Sequence, residues 1–167
     1  FKIRTYHHKG DKSLEPSYFV TSDSEADLAV SEDAELITLI SGDSKLLISK
    51  ENFSLKLYRG AKLITASEGG ALAYIDGSNG SYMREQLSLR VGEHVYGLGE
   101  RFGAFIRNGQ TVDLVNKDGG TFSEQSYKNI PFYITDNDLG VFVNHSETVS
   151  FEVASENVSK VQFSVKG

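Results

Sequence analysis

The residues best suited to chemistry lie together in one polar stretch, residues 97–129, where glycines and charged residues occur without sustained alternation. Long loops are uncommon in compact domains and tend to be functional, so this stretch is the predicted site. Its candidates for ligand contact are Asp118, Gly119, Gly120 and Thr121. The polar side chains donate to and accept from a hydroxyl-rich ligand, and glycine lets a ligand approach the backbone. Alternatively, Asp-Gly-Gly-Thr forms only a turn closed by an Asx hydrogen bond.

Other motifs give weaker signals. Gly97-Leu98-Gly99 begins like a dinucleotide fingerprint, but Phe102 stands where the third glycine belongs and no helical pattern follows. Asp136, Asp138 and Glu147 stand at the first, third and twelfth positions of a calcium loop, but valine replaces its glycine. We therefore predict a tight bend at the first motif and a hairpin turn at the second. No cofactor, metal ligand or catalytic residue is assigned to this chain.

The composition is that of a folded globular domain. The chain has 167 residues, 39% hydrophobic and 24% charged, and we interpret residues 1–167 as a single domain. A net charge of -6 gives no reason to expect nucleic acid or an anionic membrane as a partner. No apolar run approaches the roughly 18 residues of a membrane span. With Cys 0, the chain has no disulfide framework and no thiol nucleophile.

The ends of the sequence predict a piece of a longer protein. The chain starts at Phe1-Lys2-Ile3 without an initiator Met or a signal-like segment. It stops soon after an alternating run that ends at Val165. Because neither a secretory signal nor a cysteine framework is seen, the expected location is the cytoplasm.

Alternation of apolar and polar residues, the pattern of a strand with one buried face, recurs along the chain. It is clearest in three runs, around Leu55, Phe151 and Phe163. Turn residues between strand-like runs predict hairpins at Arg59-Gly60, at residues 76–80 and at residues 137–140. The best helical candidate, residues 23–30, is short and acidic. Many short strands with almost no helix predict an all-β fold, a large antiparallel two-sheet β-sandwich.

The polar stretch and the strands after it contain a series of motifs that resemble a known family. They are Tyr96-Gly97-Leu98-Gly99-Glu100-Arg101-Phe102-Gly103, Arg107-Asn108-Gly109-Gln110, Asn116-Lys117-Asp118-Gly119-Gly120-Thr121, Glu124-Gln125-Ser126-Tyr127-Lys128-Asn129-Ile130-Pro131-Phe132-Tyr133 and Gly140-Val141-Phe142-Val143-Asn144-His145. The chain resembles the N-terminal domain of glycoside hydrolase family 31, α-xylosidase branch. The resemblance is dense over about the C-terminal half and is one of pattern over the first half. Val115 departs from that branch, where Trp usually precedes the Asn-x-Asp-Gly-Gly-Thr motif.

The resemblance implies a galactose mutarotase-like supersandwich that lies against a catalytic (β/α)8 barrel, which this chain lacks. In the family, two Asp residues of the barrel act as nucleophile and acid/base of a retaining mechanism, so this chain alone is expected to be inactive. The sandwich lends a loop to the mouth of the barrel pocket. The matching positions are residues 116–121, and Asp118 is the main candidate for substrate contact. The implied partners are the enzyme's own barrel and an α-xylosyl or α-glucosyl oligosaccharide.

Two other functions stay open from the sequence. A stand-alone carbohydrate-binding module is disfavoured by Trp 0, because such modules usually present an exposed indole to the sugar. An assembly domain is compatible with the resemblance if the parent enzyme is a homo-oligomer. α-Glucosidase activity is the alternative to α-xylosidase activity, because the residues that select the reacting sugar would lie on the barrel.

Two further predictions concern side chains in and beside the polar stretch. Glu100 and Arg101 are expected to have a structural role, as an ion pair that locks the loop or docks it to the barrel. Tyr127, Phe132 and Tyr133 belong to a strand-like run, where aromatic residues are more often core than binding platform. We therefore expect these three aromatic residues in the core.

Overall fold

The computed structural model describes residues 1–7, 26–116 and 126–166. In these ranges the chain forms thirteen β-strands and no helix. The strands pair antiparallel in three sheets, one more than the predicted two, and the predicted all-β, antiparallel sandwich is confirmed. None of the described ranges contains a helix that could traverse a lipid bilayer.

Sheet A is a meander of five consecutive strands. They are β1 (Ala29–Glu32), β2 (Leu36–Ser41), β3 (Ser44–Ser49), β4 (Leu55–Arg59) and β5 (Lys62–Ser67). Gly42 and Gly60, in the turns after β2 and β4, have φ of 58° and 56°, as tight hairpin loops require. Leu46 of β3 is 5% exposed and pairs with Leu57 of β4, so these strands bury a common face.

Sheets B and C are built from the rest of the chain. Their strands are β6 (Ala73–Gly77), β7 (Gly80–Ser88), β8 (Val95–Gly97), β9 (Gln110–Leu114), β10 (Phe132–Thr135), β11 (Gly140–Phe142), β12 (Val149–Val153) and β13 (Lys160–Lys166). Sheet B has the order β6-β7-β13-β12-β9, and sheet C has the order β11-β10-β8. All pairings within both sheets are antiparallel.

The core lies between sheets B and C. On β12, Val149, Phe151 and Val153 are buried, whereas the alternate positions are half-buried polar residues. Tyr133 of β10 meets Phe151 edge-on, with ring centroids 6.1 Å apart and an interplanar angle of 85°. Edge-to-face geometry is favoured for aromatic pairs. The alternation seen in the sequence therefore selects the residues that join the two sheets.

Polar contacts join sheet A to the other two sheets through β5. Ser67 Oγ donates to Glu85 Oε1 of β7 at 2.7 Å. Asn137, in the turn between β10 and β11, donates its Nδ2 to Ile64 O at 2.9 Å. These bonds satisfy polar groups at places where water is largely excluded. The three sheets are thus tied by polar bonds as well as by apolar packing.

The structure confirms the predicted hairpin turns, at Arg59-Gly60, between β6 and β7, and between β10 and β11. Two regions differ from the sequence prediction. Residues 29–30, at the end of the candidate helical segment, belong to β1. The predicted loop stretch is interrupted by β9, where Val112 and Leu114 alternate with polar neighbours and enter the core. β9 has two apolar residues, Val112 and Leu114, against three in β12, and two are too few to establish a period of two.

The core prediction for three aromatic residues is right for one of them. Tyr133 is fully buried, but Phe132 is 40% exposed and Tyr127 is 67% exposed. Successive side chains of a strand point to opposite faces, so Phe132 and Tyr133 cannot both face the same core. Tyr127 lies before β10 and does not belong to a strand of the sandwich. The prediction is wrong for Phe132 and Tyr127.

Candidate functional site

The polar stretch leaves sheet C through a bend at Gly97 and Gly99, whose φ values are 113° and 83°. A Cβ on Gly99 would lie 2.0 Å from Lys128 O, and one on Gly97 would lie 2.7 Å from Phe132 O. Between them, the Leu98 N–H donates to Phe132 O at 2.9 Å. Two chain segments therefore pass so closely that a side chain has no room. This is the tight bend predicted for Gly97-Leu98-Gly99.

A buried arginine holds the first part of the polar stretch. Arg107 is 5% exposed, and it donates from Nε to Gly97 O at 3.0 Å and from Nη1 to Ala104 O at 2.9 Å. Its backbone N–H donates to Val95 O at 2.8 Å. Burial lowers the pKa of the Arg107 guanidinium, which nevertheless stays charged because an arginine is not deprotonated in proteins. Residues 97–107 are thereby fixed to β8.

Asn129 links residues 115–116 to Ser126 by hydrogen bonds. Its Nδ2 lies 2.9 Å from Val115 O, 3.0 Å from Asn116 Oδ1 and 2.6 Å from Ser126 O. Its backbone N–H donates to Asn116 Oδ1 at 3.2 Å. Asn116 and Ser126 also form an isolated parallel β-bridge. We call Val115, Asn116, Ser126 and Asn129 the loop base, because they bring residues 116 and 126 side by side.

Charged residues hold the loop base in place. Arg101 Nη2 donates to Asp113 O at 2.9 Å and to Asn129 Oδ1 at 2.8 Å, which orients the Asn129 amide. Glu100 forms an ion pair with Lys128, with Oε2 and Nζ 3.0 Å apart, and its hydrogen bond raises the pKa of Lys128. Exposed ion pairs of this kind contribute little stability. Glu100 and Arg101 thus have structural contacts, but Glu100 pairs with Lys128 rather than with Arg101.

Of the predicted contact residues, the structure describes Asn116 alone. Asp118, Gly119, Gly120 and Thr121 lie outside the described residues. Asn116 is exposed, and its Oδ1 accepts hydrogen bonds from both the backbone N–H and Nδ2 of Asn129. A carbonyl oxygen has two lone pairs, so this atom is already used by the loop base.

Sequence reasoning missed the residues that build the loop base and its support. Asn129 and Arg107 belong to the quoted motifs, but a motif does not show which of its polar side chains turns inward. Arg101 donates to a carbonyl and an amide oxygen, and the sequence does not show either of these partners. The available signal was chemical, because polar side chains in a compact stretch must find partners when water is excluded.

The arrangement can hold and orient a loop. Its donors and acceptors are used between chain segments, and Arg101, which also bonds to Asn129, fixes the loop base relative to β9. Within residues 1–7, 26–116 and 126–166, no three His, Asp or Glu side chains gather in a way that could hold a metal ion. Fold and site together define the class: an antiparallel β-sandwich domain in which Asn116 and Ser126 are held side by side after an edge strand.

Comparison with known proteins gives the family. A family model described as the glycosyl hydrolase 31 N-terminal galactose mutarotase-like domain matches residues 1–152, and the chain belongs to this family. The α-xylosidase XylQ of Lactiplantibacillus pentosus is 47% identical over 152 residues, which are 89% of this chain and 20% of the relative. An α-xylosidase of Emericella nidulans is 58% identical over 86 residues, 52% of this chain and 11% of the relative.

A solved structure shows the same fold. The GH31 dextranase of Flavobacterium johnsoniae superimposes with a TM-score of 0.72 at 24% identity, covering 83% of this chain and 17% of that one. The family and the sandwich that the resemblance implies are therefore confirmed. The chain spans about a fifth of the length of XylQ and less of the other two proteins.

Proposed function

We propose that residues 1–167 form the N-terminal β-sandwich domain of a longer retaining α-glycosidase that acts on α-xylosyl-capped oligosaccharides. The observation that carries this proposal is the 47% identity to an α-xylosidase over 89% of the chain. Because the matched region is only 20% of that relative, the catalytic (β/α)8 barrel is assigned to sequence outside this chain. Its two carboxylates would lie about 5–5.5 Å apart across the glycosidic bond, as retention requires.

Within that enzyme, the domain supports the substrate pocket without cleaving the bond. The loop after β9 reaches the mouth of the pocket, where Asp118 accepts hydrogen bonds from hydroxyls of the leaving-group sugar. Gly119 and Gly120 allow close approach, and Thr121 donates or accepts. Asn116 contributes its Nδ2 amide, because its Oδ1 is held by Asn129. The loop base favours binding, since a loop with fixed ends loses less conformational entropy when it contacts a ligand.

An α-glucosyl oligosaccharide is the second candidate substrate, because sugar selection would belong to the barrel. We place the enzyme in the cytoplasm, an assignment that the absence of Cys from this chain supports. Homo-oligomerisation of the parent enzyme is compatible with this function, and the partner expected in every case is the enzyme's own catalytic domain.

The test is an assay of the full-length enzyme on an α-xylosyl-capped oligosaccharide and on the α-glucosyl equivalent. Asp118→Ala should lower kcat/KM on the preferred oligosaccharide about 10- to 150-fold, the loss expected for hydrogen bonds to a charged group. Asp43→Ala is the matched control, because Asp43 is an exposed turn residue between β2 and β3, beside Gly60. A full-length enzyme that hydrolyses neither substrate contradicts the proposed function. A twofold or smaller effect of Asp118→Ala contradicts the role of the loop.

A further inference from the structure

The outer face of sheet C is apolar. On β10, Phe132 and Ile134 point outward and are 40% and 46% exposed, whereas Tyr133 and Thr135 point into the core. Phe142, opposite Phe132 on β11, is also exposed. An antiparallel sheet with one face in water normally places polar residues on that face. The outward residues of sheet C therefore have the composition of a buried surface.

These side chains form one continuous patch. Phe132 pairs with Phe142, and Ile134 pairs with Tyr96 of β8, so all four lie on the same side of the sheet. The Tyr96 ring lies 5.2 Å from the ring of Phe105, which is 78% exposed. Large contiguous apolar patches are rare on monomers and mark interaction sites. We call Tyr96, Phe105, Phe132, Ile134 and Phe142 the outer apolar face.

The outer apolar face borders the loop base and the end of the last strand. Phe132 follows Asn129 of the loop base closely in the chain. Across sheet B, Val165 of β13 pairs with Val149, and Val149 pairs with Leu114, the residue directly before the loop base. The end of β13, the loop base and one side of the outer apolar face therefore lie at the same end of the molecule.

We propose that the outer apolar face is the surface on which the catalytic domain of the same enzyme packs. This inference rests on the proposed function and names the surface that the domain uses. The matched region is 20% of XylQ, so most of that relative lies outside it and can supply a domain-sized partner. The end of β13 lies at the same end of the molecule as the loop base, and a loop that reaches the pocket requires the domain bearing the pocket to sit next to the loop base. A second copy of the chain meets neither condition.

Thiol labelling of the full-length enzyme tests the packing surface directly. This chain has no cysteine, so Ile134→Cys and Val158→Cys each add a single thiol to it. The unmodified full-length enzyme gives the background rate of labelling. Val158 is the control because it is 84% exposed and lies before β13, at the end opposite the loop base. In the native enzyme, Ile134→Cys should react with a maleimide at least about 10-fold more slowly than Val158→Cys, and both should react alike in urea. If Ile134→Cys reduces the yield of folded enzyme, Phe142→Cys takes its place.

Each result decides the proposal. Native rates within about threefold of each other, in an enzyme that still cleaves its substrate, would overturn the packing surface and leave the proposed function intact. Protection lost on dilution would assign the face to a second copy and would also overturn it. Concentration-independent protection in an enzyme without α-glycosidase activity would contradict the proposed function and still support the packing surface.

Discussion

Sheets B and C share one core, but their outer faces differ in polarity. On sheet B the outward positions of β12 and β13 include Ser150, Glu152 and Gln162, which are half-buried and polar. On sheet C the outward positions form the outer apolar face. Burial within this chain therefore shows which side chains form the core of the domain. The difference in polarity also marks the surface that the proposed catalytic domain would cover, because water solvates the outer face of sheet B well and that of sheet C poorly.

The largest effect should come from the inner contact between the two sheets. Phe151→Ala removes a fully buried ring that contacts Tyr133 and Phe163, with ring centroids 6.1 Å and 5.8 Å away. Truncation of a buried Phe costs about 3–5 kcal/mol, which urea unfolding of this chain would measure. Ser150→Ala, on the outer face of the same strand, should cost less than about 1 kcal/mol. Similar losses for the two changes would contradict the assignment of inner and outer faces.

The next largest effect should come from the loop base, which is held by hydrogen bonds within this chain and does not depend on contact with another domain. Asn129→Ala removes the donor to Val115 O and Ser126 O and the acceptor of Arg101. Leaving such groups unpaired costs about 1–3 kcal/mol in the free energy of unfolding. Asn116→Ala is the control, since it removes a single exposed acceptor, and its cost should be smaller. Equal costs would mean that Asn129 is one contact among several rather than the residue that closes the loop base.

The fold was predictable where the sequence pattern is local and long enough. Alternation in β12 and β13 identifies both the strands and their inner faces, and the bend at Gly97-Leu98-Gly99 follows from a local need for positive φ. β8 has only three residues, too few to show a period of two. In β10, Phe132, Tyr133 and Ile134 are all large and apolar, so the sequence fits either orientation of the strand.

The site was less predictable than the fold, for a physical reason. Asn129 and Arg101 act on residues that tertiary folding brings to them, and no local pattern shows those partners. The roles of Asp118 and its neighbours stay a prediction from the resemblance, because these residues lie outside the described ranges. Local rules therefore give the strands that carry the loop, whereas the contacts that fix the loop base needed the three-dimensional arrangement.

A smaller effect should come from the outer apolar face in this chain alone. Phe132→Ala removes a ring that is 40% exposed and lies over Gly140, where an added Cβ would be 3.4 Å from the ring. Partial burial predicts a loss of about 1–2 kcal/mol, less than for Phe151→Ala. In the longer enzyme the loss should rise, because a packed catalytic domain would bury the rest of the ring. Urea unfolding of both proteins measures the difference. An equal loss of stability in the two would contradict the proposal that the catalytic domain covers Phe132.

The inner face of sheet B is largely apolar but includes the charged residue Glu85. Phe151 pairs with Phe163, and Phe163 pairs with Glu85 of β7, so the Glu85 carboxylate lies on the inner side of the sheet. Burial raises the pKa of Glu85 above its ordinary value, although hydrogen bonds from Ser67 Oγ and Gln86 N oppose the shift. Glu85 thus places a carboxylate on a sheet face that is largely apolar, whereas the outer apolar face places apolar side chains where polar ones are usual.

The smallest effect should come from removing that charge. The folded state holds the Glu85 proton more tightly than the unfolded chain, so its contribution to stability is fully present below the ordinary pKa of 4.5. It is lost as the pH rises from there through the raised pKa. Glu85→Gln keeps an oxygen acceptor for Ser67 without the charge, and it should raise the free energy of unfolding at about pH 7 by less than about 1 kcal/mol, since the partly exposed site is screened. Urea unfolding at several pH values should show a flatter pH dependence for Glu85→Gln than for Glu51→Gln, which removes an exposed charge. A Glu85→Gln chain that is less stable near neutral pH would show that the carboxylate is held in its charged form by its hydrogen bonds.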